Sequence, residues 1–185
     1  MGQYFICVFL AEDGKYIRAF VDPSSYGHGV KLAEHSYVGN SVMNSIEFML
    51  SPSGIFYKSR LVWAGDYANP ETSDNAEGGG GGVGPGPNPY TLYSACQDHL
   101  DKMVYLNNKS DFQYILNHTK KLFIDKKKIK EIHPLPLLVA EGNGRGNGDY
   151  YADGKEHCGT WARDVISVND STEGYEEFSE LNNCT

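Results

Sequence analysis

The sequence predicts one α+β domain, built on a mainly antiparallel sheet with two helices. Three observations lead there. Hydrophobic residues make up 40% of the 185 residues, enough for one core. Roughly seven short runs are apolar or alternate apolar with polar, as strands do, and two stretches carry helical spacing. The helical stretches do not alternate regularly with the strands, which argues against a doubly wound parallel sheet.

Residues 4–10 (YFICVFL) form an apolar run and residues 15–21 (KYIRAFV) alternate. Asp13-Gly14 between them is a strong turn signal, so the chain opens on a β-hairpin. Residues 22–30 are rich in turn formers. Asn40 or Ser41 caps a helix running to about Leu50, with Val42, Ile46 and Met49 on one side. Ser51-Pro52-Ser53-Gly54 ends it, and residues 55–64 read as a strand. Residues 69–89 are a flexible insertion, because Gly78–Gly82 with Pro85, Pro87 and Pro89 offers no apolar surface to bury. Residues 90–105 read as the second helix. Residues 112–117 and 120–125 form a second hairpin. Residues 135–140 (LPLLVA) read as an apolar strand, and residues 161–168 (WARDVISV) as the last. The domain therefore spans 1–168, and the acidic, polar tail 169–185 is expected to fray.

The formal net charge is −8, which disfavours broad nucleic-acid binding. The lysines between Lys120 and Lys130 read as a solvated strand edge and turn. Cys7, Cys96, Cys158 and Cys184 show no CxxC pair or disulfide-framework spacing. With neither a secretory signal nor an apolar stretch of membrane length, free thiols in a reducing cytoplasm are expected, and no membrane partner.

Three places carry chemistry. In Glu141-Gly142-Asn143-Gly144-Arg145-Gly146-Asn147-Gly148-Asp149, glycine falls at every second position. Such a loop can aim successive backbone N–H groups at an anion, with Arg145 as a bidentate fork. Within residues 28–35, Lys31, Glu34 and His35 offer a cation and two bases. Asp66-Tyr67 and Arg163-Asp164 each closely follow a tryptophan at a strand end, an arrangement suited to stacking plus hydrogen bonding. The candidate pocket is thus Lys31, Glu34, His35, Asp66, Tyr67, Arg145, Asp149, Arg163 and Asp164. Metal binding is not expected, since no HExxH occurs and the cysteines and histidines lack ligand spacing. No GxSxG nominates a nucleophile, and no cofactor motif is complete.

Several stretches resemble a family of uncharacterised small phage and bacterial proteins: the opening Met1-Gly2-Gln3-Tyr4-Phe5, GHGVKLAEHSYVGN (27–40), KSRLVWAGDYA (58–68), NHTKK (117–121), HPLPLLVAEGNGRGNGDY (133–150) and WARDVISV (161–168). The insertion departs from that family's compact form. The resemblance marks a family and implies no activity. From the residues, the expectation is a binding protein for a nucleotide or other phosphorylated metabolite, which in a phage setting would sequester a host signal. One alternative is a hydrolase or transferase with Glu34, His35 or Asp66 as base and Arg145 stabilising negative charge. Another is a virion component using its 13 tyrosines as contact surface.

Overall fold

The opening hairpin pairs Phe5–Leu10 (β1) with Ile17–Val21 (β2) in the computed structural model, which describes residues 3–71, 91–142 and 155–181. Asp13 sets the turn, its Oδ1 accepting from the backbone N–H groups of Lys15 and Tyr16 at 2.9 Å each. The register slips once. Phe9 faces Ala19 and Leu10 faces Ile17, which leaves Arg18 as an extra residue in a bulge.

The other edge of β1 pairs antiparallel with Ser59–Gly65 (β3). The far edge of β3 is shared. Its start pairs with Val165–Asn169 (β7) and its end pairs in parallel with Ala140–Glu141 (β6). Beyond β7 come Tyr114–Asn117 (β4), Leu122–Asp125 (β5) and the short Glu176–Glu177 (β8). The strand order is β2-β1-β3-β7-β4-β5-β8 with β6 on β3, a mixed and mostly antiparallel sheet.

Both faces of β1 are covered, which is why FICVFL is apolar throughout rather than alternating. Phe5, Cys7, Phe9 and Trp63 face the main core with Val42, Ile46 and Met49 of the helix Ser41–Leu50. Ile6, Val8, Val62 and Ala64 face Leu92 and Cys96 of the helix Leu92–Asp98. Two shorter helices complete the α content of the described residues. In chain order the four are α1 (Leu32–His35), α2 (Ser41–Leu50), α3 (Leu92–Asp98) and α4 (Pro134–Leu138).

The sequence expectations fail at identifiable points. LPLLVA is mostly helix α4 and only its end is strand. Pro134 and Pro136 fall in the first helical turn, where missing N–H groups cost nothing, and His133 caps it by accepting from Leu135 N–H. Strand β7 starts at Val165 rather than residue 161, because Arg163 takes a left-handed φ of 63°. Strand β3 starts at Ser59, after a turn that ends on Lys58 at φ 56°. The helix expected over 90–105 stops at Asp98. Met103 then bridges Phe20 and covers the outer edge of β2. In the tail, β8 pairs with β5 and Leu181 is buried, so residues 176–181 are tied down instead of fraying. The lysine segment is not a bare edge either. Lys126 pairs with Glu47 at 2.6 Å, Lys120 with Asp164 at 3.2 Å, and Lys128 with Glu177. Of the insertion, Glu71 is described and pairs with Arg163, while 72–89 lie outside the described residues.

Candidate functional site

Among the described residues expected to share one pocket, most are held by partners of their own. Lys31, just before α1, and Glu34 on it lie exposed, and the Glu34 carboxylate accepts from Lys31 N–H at 3.1 Å. Asp66 is buried at the end of β3 and accepts from Tyr4 N–H at 3.1 Å, with Tyr67 half-buried beside it. Arg163 forks onto Glu141 and also bonds Glu71 and the Gly14 carbonyl. Burial works against its charge, and the two carboxylates more than offset that. Asp164 accepts from Asn117 and pairs with Lys120. Arg145 and Asp149 lie outside the described residues.

His35 is structural. It is fully buried, and the indole N–H of Trp63 donates to its Nε2 at 2.9 Å. Indole nitrogen only donates, so Nε2 must accept and Nδ1 must carry the proton. That proton meets the Gly29 carbonyl at 2.9 Å. Burial then pushes the imidazole pKa down and keeps it neutral. The described parts of the 27–40, 58–68 and 133–150 stretches therefore meet, but they meet as packing. The 27–40 stretch supplies the partner for Trp63, and the 133–150 stretch supplies β6. Gly65 is required because a Cβ there would sit 2.7 Å from the Glu141 carbonyl oxygen. Trp161 is buried as well.

Two further histidines are occupied. His133 Nδ1 accepts from Leu135 N–H, so its Nε2–H donates to buried Glu47 at 2.7 Å, and Lys126 takes the other carboxylate oxygen. Burial favours neutral Glu47, but His133 and Lys126 hold its carboxyl below its ordinary value. His118 contacts Ser167 Oγ and the Tyr175 hydroxyl, each at 2.7 Å. Burial, with Lys58 and Lys121 nearby, lowers its pKa to about 4. Ser167 is fully buried, so this serine–histidine contact is closed to substrate. The described thiols, Cys7, Cys96 and Cys158, are buried and inert too. Burial raises Cys96 to about 12 and Cys158 to about 11, and those two sit in different core clusters. Among the described residues, no group of three or more His, Cys, Asp or Glu is placed to hold a metal ion, and no helix is long and apolar enough to cross a membrane.

A different place gathers unpaired charge. A groove of about 600 Å³ is lined by Leu10, Glu12, Arg18, Tyr57, Lys58, Ser59, Arg60 and Val165. Among the described residues, none of its three cations has a carboxylate within ion-pair distance. Arg18 donates to Ser59 Oγ at 3.0 Å and lies over the Phe56 ring. Arg60 donates to the carbonyls of Glu12 and Arg163, at 2.8 and 2.9 Å. Lys58 lies over the Tyr57 ring at 5.2 Å. Most of the two guanidinium forks remains free to bind an acceptor.

No protein-family model, curated protein or solved structure matches this chain. The site therefore rests on its own geometry. Two of the three cations stand on unusual backbone. The bulge re-aims Arg18 toward Ser59, and Lys58 holds a left-handed conformation that costs a non-glycine residue roughly 1–2 kcal/mol. Among the described lining residues Glu12 is the one carboxylate. Asp13 lies near Arg60, but its Oδ1 is taken by the hairpin turn. Sequence reasoning passed over all three cations. Lys58 and Arg60 fall within the KSRLVWAGDYA stretch, yet neither the slipped register nor the left-handed turn is visible in residue types.

Proposed function

We propose that this protein binds an anionic small molecule, of the phosphorylated-metabolite or nucleotide class, in the groove of Arg18, Lys58 and Arg60. The observation that carries the reading is the cluster of three cations that have no carboxylate partner among the described residues, in a concave site of ligand size. On a chain of net charge −8 such a patch runs against the general field, so it concentrates anions locally. Guanidinium forks match phosphate and carboxylate oxygens in pairs. Tyr57 adds an aromatic surface for an organic moiety.

The test is calorimetry with a panel of sugar phosphates and nucleotides on wild type and three variants. Arg18→Gln should weaken the best ligand about 10- to 150-fold, the scale of a charge-assisted hydrogen bond of roughly 1.5–3 kcal/mol. Lys31→Gln, exposed just before α1, should leave affinity unchanged. If Arg145→Ala abolishes binding while Arg18→Gln does not, the glycine-rich segment holds the ligand and the groove reading fails.

A further inference from the structure

Resting on that reading, we infer that the ligand presents a chain of linked phosphates, one end in the groove and the other on Lys121 in the β4–β5 turn. Val165, on the groove's lining, is joined to the β4–β5 turn. Strand register places Arg60 opposite Val165, and His118 N–H donates to the Val165 carbonyl at 2.8 Å on the other side. Val165 N–H in turn donates to Thr119 Oγ1 at 3.0 Å. Arg60, Val165 and His118 thus form one row across two strand spacings, roughly 10 Å, wider than one phosphate group.

Lysines flank the far part of this row. Lys58 ends the turn before β3, and Lys121 ends the turn before β5. Both are exposed, both are left-handed, at φ 56° and 59°, and both press electrostatically on the His118 imidazole. Among the described residues neither has a carboxylate partner. Lys121 rests over the Tyr175 ring at 5.3 Å, and Tyr175 is fixed by its bond to His118. The neighbouring Lys120 is already paired with Asp164. His118 has both ring nitrogens occupied, so it stays a neutral spacer rather than a third cation. A line of positive charge from Arg18 and Arg60 through Lys58 to Lys121 suits a linear polyphosphate, free or esterified to a nucleoside. Each added phosphate then meets a further cation instead of solvent.

The experiment is calorimetry at about 0.15 M salt, where screening suppresses long-range attraction. The ligands are phosphate, pyrophosphate, tripolyphosphate and a nucleoside triphosphate, on wild type, Arg18→Gln, Lys121→Gln and Lys121→Gly. Tripolyphosphate should bind wild type at least about tenfold more tightly than phosphate, one charge-assisted contact's worth. Both Lys121 variants should lose that preference while keeping phosphate affinity, and Arg18→Gln should weaken every ligand. Thermal melts control for folding, since glycine suits the left-handed turn. Tighter binding of the nucleoside triphosphate than of tripolyphosphate supports an esterified chain, and equal binding supports a free one. Equal affinity for phosphate and tripolyphosphate, or no effect at Lys121, overturns the polyphosphate inference and leaves the groove standing. No binding by any of the four overturns both.

Discussion

Replacing Trp63 by phenylalanine removes one hydrogen bond and one fused ring from the centre of the fold. Trp63 is fully buried on β3 and its indole N–H is 2.9 Å from His35 Nε2, also fully buried. Phenylalanine leaves that imidazole nitrogen without a donor, a penalty of about 1–3 kcal/mol. The space vacated by the smaller ring adds about 1–2 kcal/mol. The expected loss is therefore about 2–5 kcal/mol, read from equilibrium urea melts with unchanged m-value. His35→Leu strands the indole N–H and the Gly29 carbonyl instead. The double variant leaves only the Gly29 carbonyl without its partner, the indole N–H and imidazole both being gone, so its loss should fall short of the sum by about 1 kcal/mol or more. A Trp63→Phe loss below ~0.5 kcal/mol, or strict additivity, would refute the claim that this pair ties the 27–40 segment to the sheet.

Four other outcomes follow from the same contacts. Glu47→Ala should cost about 3–5 kcal/mol in a denaturant melt, because His133 and Lys126 lose their shared acceptor. His35 and Glu47 both have pKa values lowered by folding, so the unfolded chain binds more protons. Their stabilisation is present above their ordinary values of about 6.5 and 4.5 and is lost as pH falls below them, and melts from pH 8 to pH 4 should decline in that order. Gly65→Ala should cost about 1–3 kcal/mol by thermal melt, since its Cβ meets the Glu141 backbone oxygen at 2.7 Å. Lys58→Gly should be more stable than Lys58→Ala, because relief of roughly 1–2 kcal/mol of left-handed strain outweighs about 0.5–1 kcal/mol of added chain entropy. Both Lys58 variants should bind anions more weakly than wild type.

Residue types displayed the parts of the fold that follow from local chemistry. Asp13-Gly14 announced the hairpin, Asn40 the start of α2, and the apolar run at 4–10 a strand. Those signals work because a turn, a cap and a buried strand each need particular side chains within a few residues. The α4 helix was misread because prolines usually argue against helices, and only their place in its first turn makes them compatible. The candidate site was less legible. His35 and Trp63 looked like chemistry and are each other's packing partners, a pairing 28 positions apart that no local pattern encodes. Arg163 is consumed by Glu141 and Glu71. Arg18, Lys58 and Arg60 escaped notice because their grouping depends on one slipped register and one left-handed turn. Both are consequences of tertiary pairing.

The most direct measurement is a pyrophosphate titration of ¹⁵N-labelled protein followed amide by amide. Saturable shifts are expected at Arg18, Lys58, Ser59, Arg60 and Val165, with their loss in Arg18→Gln. Shifts centred on Lys31–His35 and Asp66-Tyr67, or none that saturate, would contradict the groove reading.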